Sequence, residues 1–163
     1  MRPTTSMTTG SPCAFFDGTG QHGICSCGVY IKIAGDQAIE IYWNAGPSSN
    51  NRAEAVALAG LLSFCNFLDI SFLQIYGDSR IIIDHVLSKH NIKNIHLDGW
   101  LERIAAIWKN KKAYRISHID KNKNKKVDAL SRRGFNSPQG VWRMRIKMDN
   151  TYFQIQDFCF PGI

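Results

Sequence analysis

The order of its periodic segments limits most strongly which fold this chain can adopt. Strand-like patterns occupy residues 13–16, 24–33 and 38–43, with a Gly35-Asp36 turn before the third, and they predict an antiparallel meander. The patterns that follow predict a long Ala- and Leu-rich helix at 51–68 and a strand at 72–76. They then predict helices at 79–88 and 97–108, a strand at 114–119, and a helix at 125–133 that ends at Gly134. Because a strand–helix–strand order requires crossover connections, we predict an α/β fold with a mixed sheet covered by helices.

A different pattern follows Pro138. Apolar residues from Trp142 to Met148 alternate with Arg143, Arg145 and Lys147, and an Asp149-Asn150 turn leads into a second apolar run. This pattern predicts a β-hairpin with a basic stripe on one face. The stripe either contacts a phosphate backbone or is a solvated strand face. We therefore divide the chain into a disordered tail (1–12), one α/β domain (13–135) and a C-terminal hairpin extension (136–163).

Charge narrows the class of partner. The chain has 20 Lys and Arg against 13 Asp and Glu, a formal charge of +7, which favours nucleic acid or an anionic membrane surface. No apolar stretch approaches the roughly 18 residues needed to span a bilayer, and the opening segment lacks the apolar region of a secretory signal. We expect an intracellular, monomeric protein of the cytoplasm or nucleus. The opening segment is rich in Ser and Thr and has no acid, so an organelle transit peptide is the alternative.

The five cysteines form an odd set whose only close pair is Cys25 and Cys27, at the spacing of one strand face. No second Cys/His pair has the spacing of zinc ligands, so reduced and mostly buried thiols are the favoured interpretation.

Four acids stand at or near the ends of predicted elements. Asp17 ends the first strand, Glu54 lies one turn into the first long helix, Asp78 ends the fourth strand, and Asp128 lies in the last helix. Strand ends and helix termini converge where α/β sheets bind ligands, and hard cations such as Mg²⁺ take oxygen ligands. Each acid taken singly has an ordinary structural explanation in a turn or a helix first turn. Their order and context carry more weight than any one of them.

The segments around these acids are similar to the successive motifs of type 1 ribonuclease H. They are Phe16-Asp17-Gly18-Thr19, Asn50-Asn51-Arg52-Ala53-Glu54, Tyr76-Gly77-Asp78-Ser79, His118-Ile119, Asn124 and Asp128-Ala129-Leu130. The resemblance runs from about Phe15 to Gly134, and it is strongest to the branch found in plants and retroelements.

The resemblance implies a five-stranded mixed sheet flanked by helices, and cleavage of the RNA strand of RNA/DNA hybrids with Mg²⁺, or Mn²⁺. It implies that Asp17, Glu54, Asp78 and Asp128 are the metal ligands and that His118 is a mobile-loop histidine that assists turnover. It also implies that Asn50, Asn51 and Asn124 touch the hybrid.

The sequence departs from the family pattern at two places that bear on substrate contact, and it carries a lysine run just before the last helix. The Gly-rich loop after the first acid is shortened to residues 19–23, where Gln21 is the candidate to replace the lost substrate contact. Arg80 stands where the family often has a polar amide, and could contact phosphate. A lysine run at 121–126 either steers the anionic strand inward or is a solvated loop. The alternatives to a hybrid endonuclease are a nucleic-acid-binding domain of retroelement origin with little or no turnover, and an exonuclease or a nuclease on another duplex.

Overall fold

The computed structural model describes residues 12–88, 98–155 and 157–159. The predicted tail, apart from Pro12, and the first residue of the helix predicted at 97–108 lie outside the described residues. The strands are β1 (Cys13–Gln21), β2 (Ile24–Ala34), β3 (Gln37–Pro47), β4 (Phe72–Gly77), β5 (Ala113–His118), β6 (Trp142–Met148) and β7 (Thr151–Gln154). The helices are α1 (Asn50–Phe67), α2 (Arg80–Ser88), α3 (Asp98–Trp108) and α4 (Lys125–Arg133).

The strands form one mixed sheet in the order β5-β4-β1-β2-β3-β6-β7. The first three strands are an antiparallel meander, as predicted, and β4 pairs parallel with both β1 and β5. These five strands are the predicted mixed sheet. The C-terminal hairpin adds β6 and β7 to the same sheet, because β6 pairs antiparallel with β3.

Strand β1 is longer than predicted. It continues past Asp17 to Gln21, so Asp17 lies within the strand and not at its end. The loop expected at residues 19–23 is instead a two-residue turn, His22-Gly23, with φ of 54° and 77°. Positive φ at both central residues is what a type I′ hairpin turn needs, and the turn twists with the strands it joins. The prediction of a Gly-rich loop here is therefore wrong.

Apolar side chains alternate between the two faces of the sheet, and each face packs in its own hydrophobic core. On one face, Phe16, Val29 and Ile41 pack in the main core with Leu58 and other apolar residues of α1. On the other face, Tyr30 and Tyr42 form a smaller core with Val127 and Leu130 of α4.

Helix α4 has the predicted bounds, but it does not end in a left-handed glycine. Gly134 has a φ of −66°, and the chain continues as a short 3₁₀ turn, Gly134–Asn136. Glycine is needed here because a Cβ would overlap the side chain of Ser26 and the backbone of Trp43.

The hairpin is joined to the domain by stacked indoles. The rings of Trp43 and Trp142 are nearly parallel, with centroids 3.8 Å apart, and both would collide with a Cβ at Gly60 of α1. Trp142, with Met144 and Ile146, packs against the main core, so the predicted alternation of β6 is confirmed.

The basic residues of β6 are therefore on the opposite face, and two of them are neutralised within the molecule. Arg145 is 2.7 Å from the buried carboxylate of Glu40, and Arg143 is 3.3 Å from Asp157. The stripe is thus less available to a phosphate backbone than the sequence suggests, since only Lys147 makes no ion pair with a described acid.

Three of the five cysteines, Cys25, Cys27 and Cys65, are buried, and all five are free thiols, as predicted. Among the described helices, none combines the length and the apolar character that crossing a membrane requires.

Candidate active site

The close approach of β1 to α1 brings the first two acids together. Gly18 touches the start of α1 so tightly that a Cβ there would overlap the backbone of Ala53 and Glu54. The amide of Gly18 donates a hydrogen bond to Glu54 Oε1. The hydroxyl of Ser49 caps α1 by accepting from the amide of Arg52, at 3.4 Å. Capping at Ser49 fixes the residue at which α1 begins. Glu54 then lies one turn into the helix, on the side that faces Asp17.

The third acid follows β4, which lies beside β1 in the sheet. Asp17, Glu54 and Asp78 each offer a carboxylate oxygen, and these oxygens lie within 4.8 Å of one another. They line an open cleft of about 250 Å³ together with Asp128 of α4. Asn50 and Asn51, at the exposed start of α1, line the same cleft. The structure therefore brings together the four predicted acids and two of the predicted substrate contacts.

Burial and the neighbouring acids raise the pKa values of two acids in the cluster. Burial, a hydrogen bond shared with Asp128 and the charge of Asp78 raise the pKa of Asp17 from 3.8 to about 7. Burial and the charge of Asp17 raise the pKa of Glu54 well above its ordinary value, although the amide of Gly18 acts in the opposite direction. The negative charges of the cluster are not fully compensated, and a bound divalent cation would compensate them.

Two polar side chains that do not reach solvent hold the acids in position. Asn124, only 1% exposed, donates hydrogen bonds from Nδ2 to Asp78 Oδ2 and to the Phe16 carbonyl, both at 3.2 Å. The side chain of Asn124 is buried and its amide positions Asp78, so a contact of Asn124 with the hybrid stays a prediction.

Ser131 is a site residue that the sequence analysis missed. Its buried hydroxyl lies 3.2 Å from Asp17 Oδ2 and 2.7 Å from the Asp128 carbonyl oxygen, so it can donate to either. Its position one helical turn after Asp128 is the signal in the sequence that could have identified it.

The sequence matches a known protein family over most of its length. The model of the reverse transcriptase-like family matches residues 15–134, which is most of the chain. This chain belongs to the reverse transcriptase-like family. No curated protein sequence matches it significantly.

Solved structures show that the fold is that of a ribonuclease H-like domain. The ribonuclease H1 of the archaeon Halobacterium salinarum is 20% identical with a TM-score of 0.69, over 79% of this chain and 100% of that one. The LC11 ribonuclease H1, solved with an RNA/DNA hybrid, is 21% identical with a TM-score of 0.62, over 76% of this chain and 95% of that one. A foamy viral protease-reverse transcriptase, also solved with a hybrid, is 17% identical with a TM-score of 0.61; 85% of this chain matches 21% of that one.

In this ribonuclease H-like domain His118 is the last residue of β5 and not part of a mobile loop. It lies opposite Gly77 in the parallel ladder, and the chain is held there by a bond from the Ile119 amide to the Gly77 carbonyl. Its Nδ1 is 3.2 Å from Nη2 of Arg80. Because a guanidinium can only donate, Nδ1 accepts this bond. The structure thus pairs two of the predicted site residues with each other.

The remaining predicted contacts fall outside the cleft. Gln21 is exposed beside the hairpin turn, opposite Ile24, and does not line the cleft, nor do Arg80 and His118. Of the lysine run, only Lys121 lines the carboxylate cleft of this domain.

Proposed function

We propose that this domain is a metal-dependent endonuclease that hydrolyses the RNA strand of RNA/DNA hybrids. The observation that carries the proposal is the convergence of Asp17, Glu54 and Asp78, with Asp128 beside them, in an open cleft of a ribonuclease H-like fold. A purely structural acid gains nothing from burial beside three others, since each raises the cost of ionising its neighbours.

The donor set fits a hard divalent cation. Among the described residues it consists of carboxylate oxygens, with neither a thiolate nor an imidazole, and this favours Mg²⁺ or Mn²⁺ over softer metals. Asp17, Glu54 and Asp78 would hold the metal, with Asp128 completing the site. Bound metal lowers the pKa of water and neutralises charge that develops on the leaving oxygen.

Side chains that line the cleft would align the RNA strand of the substrate. Asn50 and Asn51 present amides at the rim of the cleft, where they can bond to ribose hydroxyls, the groups that distinguish RNA from DNA. Lys121 brings a positive charge to the same rim for the phosphates. The LC11 and foamy viral proteins were solved in complex with RNA/DNA hybrids, which supports this choice of substrate.

The experiment is cleavage of a labelled RNA/DNA hybrid in Mg²⁺ and in Mn²⁺, with EDTA as the metal-free control. Glu54→Gln is compared with Glu102→Gln, since Glu102 is an exposed glutamate of α3 that changes the charge equally. We expect cleavage to fall by more than about 10³-fold in Glu54→Gln and to be unchanged in Glu102→Gln. Equal rates in the two variants would exclude the carboxylate cleft as the active site.

A second candidate is a domain that binds nucleic acid without useful turnover. It is favoured by the tight His22-Gly23 turn, which stands where the family resemblance predicted a substrate-contacting loop. Binding of the hybrid without metal-dependent cleavage, in the same assay, would support this alternative. A single-stranded or duplex DNA substrate cleaved in preference to the hybrid would instead support a nuclease of different specificity.

A further inference from the structure

A second cleft lies beside the first turn of α4, between that helix and strands β1 and β2. It has a volume of about 210 Å³, and we call it the lysine pocket. Its lining residues are Phe15, Tyr30, Lys32, Lys123, Asn124, Lys126 and Val127. Apart from Asn124, the residues that line this pocket belong neither to the proposed cleavage site nor to the family motifs.

The charge of the lysine pocket has one sign. Its three lysines come from β2, from the 3₁₀ turn Lys121–Lys123 and from α4, and none of the described residues that line it is acidic. Lys32, Lys123 and Lys126 make no ion pair with any acid in the described part of the chain. Lys126 Nζ is held 3.4 Å from the hydroxyl of Tyr30 and 4.8 Å from the centre of its ring. The positive charge of the pocket is therefore not neutralised by any acid that the structure describes.

The start of α4 adds backbone donors to this charge. Asn124 is the N-cap residue, but its side chain makes no capping bond because its amide is turned toward Asp78 and Phe16. The amides of the first turn are left without a side-chain acceptor, and such amides bind the oxygens of phosphate groups.

Asn124 also leaves an acceptor unused. Its Oδ1 is buried and has no hydrogen-bond partner, although the residue lines the lysine pocket. A buried acceptor without a donor destabilises the folded protein. A ligand that satisfies this acceptor must bring a hydrogen-bond donor. Inorganic phosphate has only its own P–O–H groups, whereas a nucleoside phosphate also carries ribose hydroxyl and base amine hydrogens. The lone acceptor, in a pocket that Phe15 and Tyr30 also line, thus points to an organic phosphate with donors of its own.

We propose that the lysine pocket binds a nucleoside phosphate, either free or as one unit of a nucleic acid strand. Lys32, Lys123 and Lys126, with the first-turn amides of α4, receive the phosphate. The nucleoside packs against the edges of Phe15 and Tyr30 and donates toward Asn124.

The test is a titration in EDTA, so that no divalent metal occupies the carboxylates and nothing is cleaved. The probes are adenosine monophosphate and inorganic phosphate, followed by amide chemical shifts, and a short fluorescent oligothymidylate, followed by anisotropy. Lys126→Gln and Lys32→Gln remove pocket lysines. Lys125→Gln is the matched control, because Lys125 is exposed in the same helical turn but does not line the pocket.

We expect adenosine monophosphate to shift the amides of the first turn of α4. Its affinity should fall about tenfold in Lys126→Gln and in Lys32→Gln, and less than about twofold in Lys125→Gln. If only the oligothymidylate binds with this pattern, the phosphate belongs to a strand. Equal weakening by Lys125→Gln would overturn the proposal by showing that only net charge matters. Inorganic phosphate that binds as tightly as the nucleotide would overturn the role given to the nucleoside. Because the titrations contain no metal, a failure to cleave hybrids has no bearing on their outcome.

Discussion

Removing the charge of Asp17 should stabilise the metal-free protein at neutral pH. The pKa of Asp17 rises from 3.8 to about 7 on folding, mainly through burial and through the neighbouring acids Asp128 and Asp78. Between about pH 4 and pH 7 the folded state therefore keeps a proton that the unfolded chain has lost. The free energy of unfolding consequently falls as the pH rises from about 4 to 7. Above about pH 7 the free energy of unfolding stays at this lower value.

The size of the effect follows from the shift. A rise of about three units, at about 1.36 kcal/mol per unit, gives an upper limit of about 4 kcal/mol. Some of this is shared with Glu54, whose pKa is raised in the same cluster, so we expect Asp17→Asn to gain about 2–4 kcal/mol near pH 8. Near pH 4 the gain should nearly vanish, because the wild-type carboxyl is then largely protonated in the folded protein.

The measurement is urea unfolding in EDTA, followed by tryptophan fluorescence, at several pH values from about 4 to 8. Asp36→Asn is the matched control, since Asp36 is exposed in the turn between β2 and β3 and should show no such pH-dependent gain. Added Mg²⁺ should stabilise the wild type at pH 8 and Asp17→Asn much less. If the gain of Asp17→Asn does not grow with pH, burial and the neighbouring acids do not raise the pKa of Asp17 as the structure implies, and the reasoning is refuted.

Four further changes test separate parts of the site and the sheet. Gly18→Ala should lose at least about 2 kcal/mol of unfolding free energy in urea, because its Cβ meets the backbone of α1; wild-type stability would contradict that contact. Arg145→Met should cost about 3–5 kcal/mol by leaving Glu40 charged and buried, and Glu40→Gln in the same chain should recover part of it. His118→Ala should slow multiple-turnover cleavage about 10²-fold without changing Mg²⁺ binding measured by calorimetry, whereas lost metal binding would make it a ligand. Asn124→Ala should weaken Mg²⁺ binding about 10- to 100-fold by releasing Asp78, and unchanged affinity would show that the contact does not position the carboxylate.

The elements of the fold were predictable because their signals are local. The bounds of α4 match the prediction, and the alternation in β6 gives its buried face correctly. The end of β1 was not predictable, because Gly18 and Gly20 weaken a strand pattern locally, and only pairing with β2 keeps them extended. The two-residue turn at His22 similarly requires a positive φ, which is uncommon for any residue other than glycine.

The acids of the site were identified by their order along the chain, but the roles of their neighbours were not. Asn124 reads as an exposed amide in a lysine-rich segment, yet the fold buries it against Asp78. Arg143 and Arg145 read as free cations, because the sequence does not show that Glu40 lies across the strand from Arg145. Such pairings depend on distances across the sheet, which no local pattern contains.

The attachment of the hairpin to β3 determines which backbone groups the protein leaves open to other chains. Without β6, the edge of the sheet would be β3, a strand of eleven residues with six consecutive buried positions. A long apolar edge of that kind is a template for intermolecular pairing. With the hairpin in place the edge is β7, four residues long and exposed throughout. A chain cut after α4 would therefore be prone to aggregation even with its carboxylate cleft intact. The hairpin prevents this by pairing with β3 and covering its apolar edge.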